Sequence, residues 1–367
     1  MKSEIKTALI LGVVIAVGVG IINVLFSSFD EELESENTSK NPISKINKLG
    51  LKMAPDLVGI AHYLNTTPEE LSEKVKDKVI LYDIWTYSCI NCVRTLPFIT
   101  AWDEKYSDQG LLIIGIHSPE FEFEKDVENV KLAVSKHGIQ YLVILDNDMD
   151  TWKAFENRYW PRKYIADHEG YIRYDHIGEG DYKKTEKVIQ DLLKERADSL
   201  GIQIASAVPL VVIEEFEHTQ FKTPELYFGY YLAQGRNQLG NDEGFRPNQD
   251  VIYSIPESTQ RNNFYIDGTW TNLEGSIKLV SDSGKILLPY TGKEVNIVTA
   301  GESDLKIKID GAIINPEIGG KDVGTNGIVH VDEPGLYNIV NTDTSEEHTL
   351  EILVDDPGFE IFTFTFG

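Results

Sequence analysis

Hydrophobic and polar positions along this chain fall into four successive textures. Residues 7–26 form an uncharged, largely apolar run of twenty, preceded by Lys2 and Lys6 and followed by Asp30, Glu31, Glu32, Glu34 and Glu36. A run of that length spans a bilayer as a helix, and basic residues on its N-terminal side predict that end inside and the remainder outside. No small-x-small cleavage site follows, and the run is longer than a signal-peptide core. The pattern therefore predicts an uncleaved single-pass anchor over residues 1–27 and an acidic tether over 28–50. From 51 to 200, short apolar runs alternate with helix-period stretches. Strand patterns fall at Val79–Trp85, Leu111–His117, 141–145, 164–167 and Ile172–Ile177, and helix patterns at 68–75, 89–106, Val127–Lys136, 151–155 and 184–196. Strands separated by helices predict an α/β domain with helices on both faces of a sheet.

From about residue 202 the period shortens. Alternating runs recur at 277–280, 285–288, 295–299, 305–309, 327–331, 336–339, 348–354 and Glu360–Phe366, between turns rich in Gly, Asn and Asp. This spacing predicts an all-β sandwich over 201–367, with no helix after about 235. The net charge is −25 and the sequence pI about 4.7. Such a surface disfavours nucleic acid and anionic lipid headgroups and suits a soluble exterior domain. Asn37 and Asn65 open Asn-x-Ser/Thr sequons, usable only where the cell glycosylates. Asp146, Asp148 and Asp150 alternate like a calcium loop, but Thr151 and Asn157 occupy positions that need Gly and Glu, so capping of the next helix is the expected role.

Cysteine usage carries the chemistry. The chain has two cysteines in 367 residues, Cys89 and Cys92, in one Cys-x-x-Cys. They follow a predicted strand and open a predicted helix. There Cys89 meets unpaired N–H groups and the positive end of the helix dipole, which favour the thiolate. Cys92, one turn on, is placed to resolve a mixed disulfide formed by Cys89. Zinc would need two further ligands, a haem site would need His where Val93 stands, and so short a structural disulfide removes little chain entropy.

The flanks resemble the thioredoxin superfamily. The segment Trp85-Thr86-Tyr87-Ser88-Cys89-Ile90-Asn91-Cys92-Val93-Arg94-Thr95-Leu96-Pro97 looks like the signature of DipZ-type thioredoxin-like proteins. So do Gly115-Ile116-His117-Ser118-Pro119-Glu120-Phe121, Tyr159-Trp160-Pro161 and Thr223-Pro224-Glu225-Leu226-Tyr227-Phe228-Gly229-Tyr230. The likeness runs from about Ala54 to the C-terminus and weakens after about 240. Residues 125–145 resemble the helix-and-strand insertion of the extracytoplasmic, TlpA-like branch. The best-known DipZ-type proteins fuse this part to a multi-span electron-carrying membrane domain, whereas one hydrophobic span is present here.

The resemblance implies a thioredoxin-like fold followed by a carbohydrate-binding-module-like jelly roll. It implies catalysis by Cys89 and Cys92, with Asp83 as buried proton acceptor and Trp85 packed beneath the site. Pro97 kinks the active-site helix, and Pro161 is a cis-proline opposite the cysteines. Trp85, Tyr87, His117, Trp160 and Pro161 are the implied client-binding residues; for His117 an exposed loop position weighs equally. No cofactor is implied beyond the Cys89–Cys92 disulfide itself. The implied partners are protein dithiols and disulfides, a membrane electron donor of the CcdA/DsbD type, and carbohydrate as an open ligand class for the β domain. Tyr265, Trp270 and Tyr290 are the aromatics available for sugar, with core packing the more common role. The expected function is a membrane-anchored, extracytoplasmic thiol–disulfide oxidoreductase. A redox-inactive adaptor and a thiol peroxidase remain open. The peroxidase is suggested by Thr86-x-x-Cys89 and weakened by Tyr82, where that pattern has proline.

Overall fold

The computed structural model describes residues 48, 50–204, 209–217 and 222–367. The expected anchor over 1–27, and the expected tether apart from Lys48 and Gly50, lie outside the described residues. Among the described residues no helix is long and apolar enough to cross a membrane. Residues 51–367 form one compact unit.

The first half is an α/β domain. Its strands are β1 (His62–Leu64), β2 (Val79–Trp85), β3 (Leu111–His117), β4 (Leu142–Leu145), β5 (Arg162–Ala166) and β6 (Ile172–Ile177). Its helices are α1 (Pro68–Lys74), α2 (Ile90–Tyr106), α3 (Val127–Lys136), α4 (Asp150–Ala154) and α5 (Tyr182–Leu200). The strand order is β1-β4-β3-β2-β5-β6. β2, β3 and β4 run parallel, and β1, β5 and β6 pair antiparallel. Every residue of β2 is buried, which explains its nearly unbroken apolar run. Alternation sends Val79, Leu81 and Trp85 into the layer holding Leu96, Ile99 and Trp102 of α2 and Ile189 of α5, and Ile80, Tyr82 and Ile84 into the layer holding Leu71 of α1 and Phe155. By the same parity Asp83 lies on the side of the cysteine helix.

The predicted strand at 164–167 begins two residues earlier, at Arg162, and the three-residue edge strand β1 has too short a pattern to be read from sequence. Asp146 caps α4 as expected, its carboxylate accepting the N–H groups of Thr151 and Trp152 at 2.9 and 2.8 Å. The Asn65 amide is taken up by the carbonyls of Ile139 and Tyr141, at 3.1 and 3.0 Å, so glycosylation there would break both bonds.

The second half is an antiparallel β domain of β7 (Leu226–Tyr227), β8 (Asp250–Tyr253), β9 (Tyr265–Asn272), β10 (Ile277–Leu279), β11 (Gly284–Ala300), β12 (Ser303–Ile309), β13 (Ala312–Ile313), β14 (Ile328–Val331), β15 (Gly335–Val354) and β16 (Glu360–Phe366). Hydrogen bonding joins them in one ten-stranded sheet, and no helix follows α5 among the described residues. The sequence read β11 and β15 as two runs each. They are continuous strands of 17 and 20 residues, with a register shift between Gly292 and Glu294. A bulge interrupts the hydrophobic alternation without breaking the ladder. The first part of β11 pairs with β9 and the last part with β16, so one strand serves both sides of the core. Tyr265, Trp270 and Tyr290 are at most 2% exposed. They are core residues, which removes them as a sugar-stacking face.

Candidate active site

Cys89 is the N-cap of α2, with extended backbone at φ −79° and ψ 114°. It is half-buried, and its Sγ accepts the N–H of Cys92 at 3.3 Å. A cap residue accepts from N2 or N3, so a thiol at this position receives an N–H bond of the kind that stabilises an anion. Cys92 is fully buried. Burial pushes its thiol well above the usual range, the hydrogen bond and charge of Cys89 add to the effect, and the Thr86 backbone opposes it. Both thiols are free. One sulfur is thus accessible at a helix N-terminus and the other is held protonated behind it, the arrangement of an attacking and a resolving thiol.

Asp83 lies under this pair, fully buried, and neither carboxylate oxygen has a hydrogen-bond partner. Burial pushes it up to about 6, against the pull of the Lys163 ammonium. Gly115 stands across from it on β3. A Cβ there would lie 3.0 Å from the Trp85 indole nitrogen and 3.1 Å from the Tyr141 ring, so only glycine leaves that layer intact.

Lys163 was not anticipated. It faces Asp83 directly in the β2–β5 register and is fully buried. Its Nζ donates to the Gly178 carbonyl at 3.3 Å. Burial pulls its pKa down, while the charges of Asp83, Cys92, Glu179 and Cys89 act the other way. No ion pair within 4 Å joins it to Asp83; the two are coupled through space in a low dielectric. One signal was available: Lys163 shares strand parity with Ile165, a residue of the same core layer. In isolation, Arg162-Lys163 reads as surface charge.

The expected client-binding residues divide. Pro161 is buried and its bond to Trp160 is cis. Trp160 is half-buried, packs at a tilt against Trp152 with ring centroids 4.2 Å apart, donates its indole N–H to Ser118 O at 2.9 Å, and packs with Cys89 on the same core cluster. Trp85 and His117 are fully buried, so neither reaches a client. Trp85 does pack beneath the site, edge-on to His117 at 5.4 Å. His117 is neither an exposed loop residue nor part of a binding surface. It stacks on Tyr87 at 5.6 Å and meets Thr86 Oγ1 at 3.3 Å, and burial pulls its pKa down to about 3, which keeps it neutral. Tyr87 is covered by the β domain, its hydroxyl donating to Pro334 O at 3.4 Å.

Two further residues were missed. Glu124 is fully buried and accepts from Thr86 Oγ1, Ser88 N and Ser88 Oγ on the loop leading to Cys89, and from Glu120 N and Phe121 N. Arg94, two residues after Cys92, pairs with Glu179 of the α/β half at 3.4 Å and Glu294 of the β half at 2.5 Å. Both look like ordinary helical surface charges, because Thr86 and Ser88 for Glu124, and Glu179 and Glu294 for Arg94, are remote in sequence.

Residues 48–193 match the family described as Redoxin, and residues 223–367 the family described as Thioredoxin like C-terminal domain. The chain is 34% identical over 319 residues to Protein DipZ of Mycobacterium bovis, covering 86% of this chain and 43% of that protein. It is 32% identical over 143 residues to thiol-disulfide oxidoreductase YkuV of Bacillus subtilis, covering 38% of this chain and 94% of YkuV. The chain belongs to the DipZ-type thioredoxin-like proteins. YkuV, of which the chain covers 94%, is by its name a thiol-disulfide oxidoreductase. This DipZ-type chain spans less than half the length of the DipZ protein it matches. It is also 38% identical over 120 residues to human NHL repeat-containing protein 2, covering 32% of this chain and 16% of that one.

Proposed function

We propose that this protein exchanges disulfides with protein clients outside the cytoplasmic membrane, held there by its N-terminal apolar segment. The observation that carries this reading is the half-buried Cys89 at the α2 N-cap with Cys92 fully buried one turn on. The Cys89 thiolate attacks one sulfur of a client disulfide, forming the mixed disulfide and expelling the other client sulfur as a thiolate. Cys92 loses its proton to Asp83 and attacks Cys89 Sγ. The second client thiolate leaves, and the Cys89–Cys92 disulfide holds the two-electron oxidation that matches the client's reduction. The reverse sequence oxidises a client dithiol, and the reduction potential of the couple sets the direction. In the reducing direction a membrane dithiol donor of the CcdA/DsbD type regenerates the pair. The extended segment of a client lies along the Trp160-Pro161 backbone as a short strand addition.

The test is mixed-disulfide capture. Cys92→Ser should accumulate covalent client adducts that are released by dithiothreitol, and Cys89→Ser should accumulate none. Adducts on Cys89→Ser, or none on either variant, would overturn the reading. Peroxide consumption with sulfenate at Cys89, in place of adducts, would assign a peroxidase. The anchor is read separately: the chain should fractionate with membranes and lose residues 51–367 to external protease on intact cells.

A further inference from the structure

Glu124 stands where two loops meet. One of its oxygens accepts from Thr86 Oγ1 at 2.5 Å, Ser88 Oγ at 2.6 Å and Ser88 N at 3.3 Å. These residues carry the chain from the end of β2 to Cys89. The other oxygen accepts from Glu120 N at 2.6 Å and Phe121 N at 2.9 Å, on the loop after β3. That second loop is where the β domain docks. The Phe121 ring lies 5.0 Å from Phe362 of β16, and Phe123 lies 4.7 Å from the same ring. Glu120 Oε1 accepts from the Tyr227 hydroxyl of β7 at 2.9 Å. Phe123 is also 6.0 Å from Tyr87, two residues before Cys89. A buried carboxylate with donors on both oxygens therefore bridges the docked face of the β domain and the loop that presents the reactive thiol.

We propose that Glu124 is a positioning residue through which docking of the β domain sets the reactivity of Cys89, giving the appended domain a part in the redox chemistry. The bond count makes the coupling specific. A carboxylate accepts at both ends, whereas glutamine accepts at one. Glu124→Gln keeps Glu120 N and Phe121 N satisfied only by turning its NH₂ toward Ser88 N–H, which loses its acceptor. The thiol cap then shifts with Ser88. In the opposite direction, loosening Phe362 moves Phe121 and its N–H, and the pull on Glu124 reaches Ser88. This inference rests on the proposed function only in taking Cys89 as the reacting thiol.

The experiment is a double-mutant cycle on the full reduced chain, with Glu124→Gln and Phe362→Leu singly and together and Tyr227→Phe as a second docking variant. The readout is the iodoacetamide alkylation rate of Cys89 against pH, assigned by peptide mass. Each docking variant should change the rate at neutral pH by at least about threefold. The changes from Glu124→Gln and Phe362→Leu should be non-additive, as for residues in one network. Docking variants that leave Cys89 within about twofold of wild type, or a cycle that closes additively, overturn the proposal. If Glu124→Gln fails to fold, the two docking variants alone decide it by the same criterion. Alkylation needs no client, so a chain inactive in disulfide exchange but with a coupled cycle would sink the proposed function and leave this inference standing.

Discussion

Replacing Asp83 by asparagine isolates the electrostatics beneath the cysteines. The carboxyl is fully buried with no hydrogen-bond partner, and its folded value of about 6 compares with 3.8 for the free group. A folded pKa above the unfolded one means that the folded state holds the proton more tightly. The stabilising contribution is fully present below about pH 3.8 and is lost as the pH rises through about 6. The difference of 6 − 3.8 = 2.2 units, at about 1.36 kcal/mol per unit, is a burden of about 3 kcal/mol at pH 8. Attraction to Lys163 is already contained in that value. Asparagine cannot ionise, so Asp83→Asn should stabilise the reduced chain by up to about 3 kcal/mol at pH 8, with most of the gain gone by pH 4. Losing its partner charge leaves Lys163 less well compensated, which trims the gain. The assay is urea unfolding at pH 4, 6 and 8, comparing midpoints at constant m. The same variant should release trapped client more slowly, because the acceptor for the Cys92 proton is gone. Higher stability joined to slower resolution is the signature of a group kept for function. A variant no more stable than wild type at pH 8, or a difference that does not grow from pH 4 to pH 8, would refute the reasoning.

Two further outcomes are expected. Lys163→Met removes the ammonium charge that holds the Asp83 pKa down, so the Asp83 midpoint should rise above about 6, read by carboxyl chemical shift against pH; an unmoved midpoint would show the two groups to be uncoupled. Arg94→Ala removes the guanidinium that pairs with Glu179 and Glu294, whose side chains are 8% and 13% exposed, and should cost about 3 kcal/mol in urea unfolding; a loss below about 1 kcal/mol would mean that the pairs behave as surface ion pairs.

Local pattern by itself determined the α/β-then-β architecture and the reactive pair. Strand and helix differ in period, and a doubly covered strand such as β2 shows as an apolar run. Cys-x-x-Cys between a strand and a helix is chemistry written in adjacent residues, whereas Asp83 and the Trp160-Pro161 bond came from the resemblance of the flanks to the thioredoxin superfamily. What depends on partners far along the chain was not legible. The burial of Lys163 requires β5 to lie against β2. The neutrality of His117 requires Tyr87 over it, and the cover on Tyr87 requires Pro334, 247 residues away. Glu124 and Arg94 look like surface charges in the sequence; the fold of the Thr86–Ser88 loop against the loop after β3 gives Glu124 its partners, and the β domain supplies Glu294 to Arg94. Tyr265, Trp270 and Tyr290 could have faced either way, because strand alternation gives two faces and only the closed sheet decides which one is the core.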